Sequence, residues 1–553
     1  MADFFRAYKA QATHVPTFFI ESTAPNNVDD EIPSNASPVP PELIQVDADA
    51  AIGEIAEALS TGADPNLVVM VHGFNNTRDR VLDMYRDAAV AIQQDAEIQA
   101  HRSGLVCIGY RWPSERMLQP WKDFWRALPR LPGGLFAVGL AMLIVSWTLY
   151  AERGEWVAWL AHALAVSGIA LAGLIAVAFL LRVIVYFRDQ YRATNYGIPD
   201  LTHVIRTIDA AVAERHARKQ MPQRRGHLSF IGHSMGGFVV TNTIRALVDA
   251  TDESSPSIET FGRRSFEKQT HARGSEEEFP RSHLGKTFRL MRFVLASPDI
   301  PAEHLLSSRS NFLASALVRF TEAFLFSNEG DEVLRQISTT ANYFSFPAKT
   351  RAHGFRLGNV EILASGYGFI RMNANDIPAR LRVGDLSIRE LEGRMEAAAQ
   401  KRAAAAMQLG DLPNPSAGPP GVHTEAPLPK RFTYFDCTDY VDRDGSGRLR
   451  GLLTFAKRWK ANNPVARLPW YAHLSLLLGY LRGRVNVHGG YFDGAFGKEM
   501  ILRLACLGFR GAVNAYGDAT AMSQACAAKQ VRVLVSPELA GVVQPAAGRI
   551  PLM

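Results

Sequence analysis

The stretch HLSFIGHSMGGFVVTNT, residues 227–243, constrains the fold of this chain more than any other part of the sequence. An apolar run of strand length passes through a glycine-containing turn directly into an apolar run of helical character. A strand followed at once by a helix is typical of a parallel sheet, because the helix must carry the chain back before the next strand begins. The sequence therefore predicts an α/β fold, with a mostly parallel central sheet and helices on both faces.

The same alternation of apolar runs recurs along the chain. Helices are expected from near Thr77 and over 200–218. The predicted strands are 17–20, 67–71, 104–110, 227–231, 289–296, 322–327 and 432–437, with one more strand-like run, VRVLVSP, near the carboxyl end. Two stretches do not follow this alternation of strands and helices. Residues 252–286 are rich in Ser, Glu and Arg and are predicted to form an exposed loop, and residues 391–430 join an Ala-rich helix to a Pro- and Gly-rich connection.

Two apolar runs in the first half of the chain are long enough to cross a membrane. Residues 131–150 hold no charge, and residues 156–181 have His162 as their only ionisable group. A bilayer core needs about 20 apolar residues per helix. We therefore predict a two-helix transmembrane hairpin over 131–187, the alternative being a cap of buried apolar helices.

The charges around these runs predict an orientation. The connecting loop has one cation, Arg153, between two glutamates, whereas both flanks are basic: Arg111, Arg116, Lys122, Arg126, Arg130, Arg182, Arg188 and Arg192. Because basic flanks remain on the cytoplasmic side, the rest of the chain is expected in the cytoplasm with the bilayer as its partner.

The overall composition argues against two other classes of protein. The net charge of +6 comes from 60 Lys and Arg against 54 Asp and Glu spread along the chain, with no basic tract, so nucleic acid is not expected as a partner. The four cysteines form no CxxC pair, and we expect neither a metal site nor a disulfide framework.

Ser234 lies where the predicted strand 227–231 turns into the helix, at the centre of GHSMG. A serine hydroxyl is a poor nucleophile unless a base, an exposed position and amide donors for the developing oxyanion are supplied. A sharp strand-to-helix turn with glycines two residues on either side is the arrangement that exposes such a serine. We interpret Ser234 as a catalytic nucleophile, the alternative being a simple helix cap.

The expected oxyanion donors are the backbone amides of Met235 and Phe74. The Met235 amide begins the helix, at its positive end. In LVVMVHGFNNT, residues 67–77, Gly73 lets the chain turn after a buried strand, so that the Phe74 amide can face Ser234. His72 is predicted to be a structural histidine, because the base in this architecture comes late in the chain.

Four motifs, VHGFNN, YRWPS, GHSMGG and VLASPDI, together resemble the α/β-hydrolase superfamily, and specifically a bacterial subgroup of serine hydrolases with an HGFNN oxyanion loop. The resemblance covers the chain in pieces from about residue 15 to 505, with the hairpin as an insertion. It implies an α/β-hydrolase fold with an eight-stranded sheet, a Ser-Asp-His triad and hydrolysis of an acyl ester without a cofactor. The chain then divides into 1–130, the hairpin 131–187, a second hydrolase part 188–510, and a tail 511–553 of unknown role.

The order of triad residues in that fold is serine, acid, histidine. Asp331 lies in an NEGD turn after the predicted strand 322–327 and is favoured as the acid, with Asp299 in ASPDI as the alternative. His488 lies in the glycine-flanked loop VNVHGG and is favoured as the base. The rival histidines are His473, His353 and His423.

The sequence thus predicts a membrane-anchored serine hydrolase, esterase-like or lipase-like, in a bacterial inner membrane. Its expected substrate is an acyl ester, with a membrane lipid as one candidate, and no protein partner is indicated. The alternative is a catalytically inactive hydrolase-like scaffold that recruits partners at the membrane.

Overall fold

A computed structural model of the chain describes residues 4–11, 13–25, 43–114, 169, 185–220, 225–251, 282–306, 311–341, 354–364, 366–370, 377–408, 428–443, 449–451, 467–481 and 485–543. The strands are β1 (Phe5–Ala10), β2 (Thr17–Ser22), β3 (Leu43–Val46), β4 (Asn66–Val71), β5 (Leu105–Arg111), β6 (Gly226–His233), β7 (His283–Leu284), β8 (Phe288–Ala296), β9 (Glu322–Ser327), β10 (Val360–Ile362), β11 (Gly368–Ile370), β12 (Leu381–Val383), β13 (Leu386–Ser387), β14 (Phe432–Asp436), β15 (Val441–Arg443), β16 (Leu449–Gly451) and β17 (Arg532–Leu534).

The α-helices are α1 (Ala48–Thr61), α2 (Arg78–Gln94), α3 (Ala96–Ala100), α4 (Ile198–Arg218), α5 (Met235–Thr251), α6 (Glu303–Leu306), α7 (Phe312–Leu317), α8 (Ile377–Arg380), α9 (Ile388–Gln408), α10 (Trp470–Leu481), α11 (Ala495–Ala515), α12 (Ala519–Ala528) and α13 (Ala540–Val543). Short π-helical turns span Ala193–Gly197 and Val333–Ser338, and 3-10 turns span Leu357–Asn359, Leu428–Arg431 and Pro537–Leu539.

Twelve strands form one sheet in the order β11–β17–β14–β9–β8–β6–β4–β5–β2–β1–β3, with β7 paired to β8. The seven neighbours from β14 to β2 run parallel to one another. The direction of winding reverses at β4, since β5 and β6, the next two strands of this parallel part, lie on opposite sides of it. In open parallel sheets ligands bind at the carboxyl edge beside such a reversal.

Both faces of the sheet are buried under helices. Along β4, Leu67, Val69 and Val71 point into the core that the sheet forms with α1, α4 and α5. Val68 and Met70 point into the opposite core, which contains residues of α2, α11 and α12. The alternation follows from the two-residue period of a strand, and burial on both sides explains why this strand reads as a continuous apolar run.

The predicted α/β class, the parallel sheet and all seven predicted strands are confirmed. The implied count of eight strands differs from the twelve observed, because short strands extend both edges of the parallel part. At one edge β1 pairs antiparallel to both β2 and β3. At the other edge β17 pairs antiparallel to β14 and parallel to β11. These edge strands, such as FRAYKA of β1, mix polar and apolar residues and give only a weak strand signal.

Among the helices of the described ranges, none combines the length and the apolar character that crossing a bilayer requires. The predicted spans, residues 131–150 and all of 156–181 except Ile169, lie outside those ranges. The same holds for residues 252–281 of the first insert and 409–427 of the second.

Strand β17 is tied to the rest of the sheet by a buried arginine. Arg532 Nη1 donates to Ile362 O at 3.0 Å, and the guanidinium lies 3.4 Å from Asp436 and 3.2 Å from Asp439. All three charged side chains are at most 2% exposed. The segment after residue 510 therefore belongs to the same folded unit.

The Arg532→Ala variant should lower the free energy of unfolding by about 3–5 kcal/mol, because it leaves two carboxylates buried without their cation. The matched control is Arg218→Ala, which breaks an ion pair with Glu214 whose side chains are 75% and 61% exposed. That change should cost about 0.5 kcal/mol. Urea unfolding followed by tryptophan fluorescence measures both, and equal shifts would show that the buried Arg532 pairs stabilise the fold no more than a surface ion pair does.

Candidate functional site

Ser234 occupies a strained turn between β6 and α5. Its φ is +55°, in the left-handed region that residues with a side chain rarely adopt. Neighbouring chain segments hold the turn from both sides: Ser234 N donates to Ala296 O at 3.0 Å, and Asp299 N donates to Ser234 O at 3.1 Å. The conformation is that of a strand-to-helix elbow that presents the serine at the carboxyl edge of the sheet.

Glycines surround Ser234 because other backbone segments come into direct contact with the turn. A β-carbon added to Gly236 would lie 2.3 Å from Val71 O, and one added to Gly73 would lie 2.7 Å from Ser234 Cβ. Neither distance leaves room for a side chain. The HGFNN loop after β4 is therefore packed directly on the serine.

An aspartate that the sequence analysis did not single out holds the HGFNN loop in place. Asn75 N donates to Asp189 Oδ2 at 2.8 Å, and Ser114 Oγ donates to the same oxygen at 3.1 Å. Ser114 Oγ in turn accepts from Asn76 N at 3.1 Å. Burial raises the pKa of Asp189, an effect that Arg188 opposes. Ser114 is the last residue of the YRWPS motif, so this contact gives one physical reason why YRWPS and VHGFNN occur together in the chain.

His72 supports this loop from below. Its ring stacks on Trp112 with centroids 5.1 Å apart, Nδ1 lies 2.7 Å from Gly73 O, and Trp112 Nε1 donates to His72 O at 2.9 Å. Burial lowers the pKa of His72 to about 3, with a further contribution from Arg111, so the ring is neutral near pH 7. These contacts give His72 a structural role.

The predicted oxyanion donors belong to residues next to the turn: Met235 follows Ser234, and Phe74 follows Gly73, which packs against Ser234 Cβ. Met235 is the first residue of α5, where an amide has no acceptor within the helix. Neither its amide nor that of Phe74 donates a hydrogen bond within the described parts of the chain. Two backbone amides next to a buried serine are the donor pair that an oxyanion requires.

His488 is paired with Asp331. His488 Nδ1 lies 2.7 Å from Asp331 Oδ2, and the Asp331 side chain is fully buried. The other carboxylate oxygen, Oδ1, accepts from Val333 N and Leu334 N, both at 3.1 Å. Since Nδ1 faces the carboxylate, the imidazole presents Nε2 as its free nitrogen.

Ser297 is a second contact of the same carboxylate and was missed by the sequence analysis. Its Oγ donates to Asp331 Oδ2 and lies 3.5 Å from His488 Nδ1. Its φ is +47°, and three of the five residues other than glycine with positive φ in the described ranges, Asn75, Ser234 and Ser297, belong to this site. Such strain concentrates at functional sites. The signal that could have indicated Ser297 is the ASPDI motif, which contains both Ser297 and the alternative acid Asp299.

Two side chains hold the loop that carries His488 next to the turn of Ser234. Asn328 Nδ2 donates to Val487 O at 2.8 Å, and His233 Nε2 lies 3.1 Å from His488 O. The rings of His233 and His488 are 5.1 Å apart between centroids. Burial, followed by the nearby His488, lowers the pKa of His233 to about 3, so this ring donates to the loop as a neutral group.

Two side-chain atoms of the predicted triad lack hydrogen-bond partners. Ser234 Oγ and His488 Nε2 are both buried, and neither makes a hydrogen bond to any described residue. Buried polar atoms are nearly always paired in native proteins, and exceptions call for an explanation such as a catalytic role.

The rival candidates are engaged elsewhere. Asp299 Oδ1 lies 3.1 Å from Arg356 Nε, and its Oδ2 accepts from Ser338 Oγ at 3.0 Å. His473 Nδ1 pairs with Glu332. His353 and His423 lie outside the described residues. The structure therefore brings Asp331, and not Asp299, to His488.

A cavity of about 230 Å³ adjoins the site on the side of α2. Asn76, His233 and Gly489, each next to or within a site loop, contribute to its lining together with Arg80 and Lys498. Ser234 and His488 do not line it. Across the described ranges, no group of His, Cys, Asp or Glu side chains is arranged to hold a metal ion.

Comparison with protein-family models, with curated proteins and with solved structures finds no match for this chain. The resemblance to the α/β-hydrolase superfamily therefore stays a prediction from the sequence motifs.

The pKa of His72 predicts an acid-dependent loss of stability. The unfolded chain binds a proton at this residue below pH of about 6.5, whereas the folded protein binds it only near 3, so stability falls as the pH drops through this window. His72→Phe keeps a ring on Trp112 and removes the titration. The difference in unfolding free energy between pH 7 and pH 5 should shrink by about 2 kcal/mol.

Trp112→Phe serves as the control, because it weakens the same contacts without removing an ionisable group. It should lower stability equally at the two pH values. An unchanged pH dependence in His72→Phe would mean that His72 is not held neutral by the fold.

Proposed function

We propose that this chain is a serine hydrolase that cleaves acyl esters. The observation that carries the proposal is the 2.7 Å contact of His488 Nδ1 with the buried Asp331, which leaves His488 Nε2 unpartnered beside the strained turn of Ser234. The hydroxyl, the imidazole and the carboxylate follow one another in the order of an α/β-hydrolase triad.

In the first half of the reaction, Ser234 Oγ attacks the ester carbonyl carbon and His488 Nε2 takes the hydroxyl proton. Asp331 holds the imidazole in the tautomer with Nδ1 protonated and stabilises the imidazolium that forms. The amides of Phe74 and Met235 bind the oxyanion. The carbon–oxygen bond to the alcohol then breaks, the alcohol leaves with the proton from His488, and the acyl group remains on Ser234.

In the second half, water replaces the alcohol. His488 Nε2 takes a proton from the water as its oxygen attacks the acyl carbon, and the proton returns to Ser234 Oγ when the carboxylic acid leaves. The serine is regenerated, and the balance of the reaction requires only the ester and water.

We further assign the chain to the α/β-hydrolase fold, with the hairpin of residues 131–187 anchoring it in a bacterial inner membrane and the catalytic part in the cytoplasm. The support for the fold is the position of the oxyanion loop, the serine and the acid in the sheet. The oxyanion loop follows β4, the serine follows β6 and the acid follows β9, all at the carboxyl edge of parallel strands. The long charge-free runs in the sequence support the anchor.

A fluorophosphonate probe should label the folded protein at Ser234, because the probe forms a covalent bond only with a serine activated by a base. Ser234→Ala should abolish labelling, and Ser297→Ala, which keeps the nucleophile, should retain it. Mass spectrometry of the labelled peptide identifies the site. A folded parent protein that does not react would support the alternative, a catalytically inactive scaffold.

Substituting the two candidate acids separates their roles. Asp331→Asn should lower kcat by about 10⁴ at nearly constant KM, since the imidazole loses the charge that orients and stabilises it. Asp299→Asn should leave kcat within about threefold of the parent while lowering the free energy of unfolding, because it breaks the buried pair with Arg356. Rates are referred to the amount of folded protein, and a larger kcat loss in Asp299→Asn would reverse the assignment.

A further inference from the structure

Helix α10 is apolar on two opposite sides. Ala472 and Leu476 face the protein and are 3% and 0% exposed. Trp470, Leu474 and Leu478, also at a spacing of four residues, are 76%, 47% and 40% exposed, and Tyr471 beside them is 43% exposed. We call these last four residues the α10 apolar face.

This concentration is unusual for a surface helix. Nine large hydrophobic side chains are exposed in the described ranges, and four of them form the α10 apolar face. Single exposed apolar residues are common, but a contiguous group on one helix marks a surface that binds another apolar phase. A helix that is apolar on all sides is typical of protein interiors and of membranes.

The helix is attached to the catalytic loops. His473 Nδ1 pairs with Glu332, the neighbour of Asp331, and Leu468 N donates to Glu329 Oε1 at 3.1 Å. The chain beyond the helix leads to His488. Helix α10 therefore lies at the same edge of the sheet as the site.

Three observations indicate a lipid bilayer as the occupant. Trp470 and Tyr471 are residue types that favour the water–lipid interface. The sequence continues with Arg482 and Arg484, whose charge complements anionic headgroups. The runs 131–150 and 156–181, each long enough to span a bilayer, connect Ser114 to Val185, and Tyr186 packs on Phe74 of the oxyanion loop with ring centroids 5.7 Å apart. The same edge thus carries the chain segments that lead to the apolar runs.

We propose that the α10 apolar face lies in the interfacial layer of the bilayer, so that the site receives its acyl ester directly from a membrane lipid. The choice of substrate rests on the proposed hydrolase function, whereas the docking of α10 does not.

The docking is tested with the full chain in vesicles of equal amounts of phosphatidylcholine and phosphatidylglycerol. The four native cysteines are buried, so an environment-sensitive nitrobenzoxadiazole dye can be attached selectively to Leu474→Cys. Val90→Cys on α2, 46% exposed, is the matched control. The dye at 474 should emit at shorter wavelength and be quenched by nitroxide-labelled lipids, and the dye at 90 should do neither.

Two results would overturn the docking. A dye at 474 that remains as water-exposed as the dye at 90 would do so. So would a dye that is shielded from water but insensitive to the nitroxide lipids, which would mean that a second copy or another segment of this chain covers the helix.

The consequence for substrate is tested with Leu474→Asp combined with Leu478→Asp. Hydrolysis of an ester embedded in the vesicles should fall by about tenfold, because two leucine side chains leave the apolar layer. Hydrolysis of a soluble short-chain ester and labelling by the fluorophosphonate probe should stay at the parent level. Equal losses on both esters would contradict delivery from the bilayer, and a parent that hydrolyses neither would refute the hydrolase function while leaving the dye result valid.

Discussion

The site depends on a backbone conformation that Ser234 would not adopt by itself. A φ of +55° costs about 1–3 kcal/mol for a residue with a side chain, and it persists only where the surroundings determine it. Here the determinants are the parallel neighbours of β6. The backbone of β8 accepts the Ser234 amide, and the loop after β8 donates to the Ser234 carbonyl. The loop after β4 is pressed against the side chain. The sheet therefore sets the position of the hydroxyl.

The rest of the site is assembled from polar groups that are buried and paired. Asp189 holds the loop that carries Phe74, and Asp331 holds His488 while accepting from Ser297. A buried carboxylate is tolerated when donors surround it, and each donor then becomes fixed in direction. Within the described ranges, Ser234 Oγ and His488 Nε2 make no hydrogen bond, and these are the atoms through which the proposed reaction acts.

Local signals in the sequence predicted the parallel part of the sheet and the elbow well. Each central strand, such as β4, is buried on both faces and therefore appears in the sequence as a continuous apolar run. The glycines around Ser234 can be identified directly from the sequence. The edge strands β1 and β3 and the role of Asp189 were missed. Their identity depends on pairing with residues far away in the chain, and their own residues carry little pattern.

The sequence by itself determined the α/β class, the serine and the loop opposite it, because these features arise from neighbouring residues. It favoured Asp331 as the acid but kept Asp299 as an alternative, since both follow a predicted strand. Only the tertiary structure shows which of the two carboxylates contacts His488. The Asp299 carboxylate pairs with Arg356 and accepts a hydrogen bond from Ser338, whereas the His488 imidazole contacts the Asp331 carboxylate. Which carboxylate can accept a hydrogen bond from the imidazole depends on where Arg356, distant in the sequence, lies in the folded chain. No local sequence pattern contains that information.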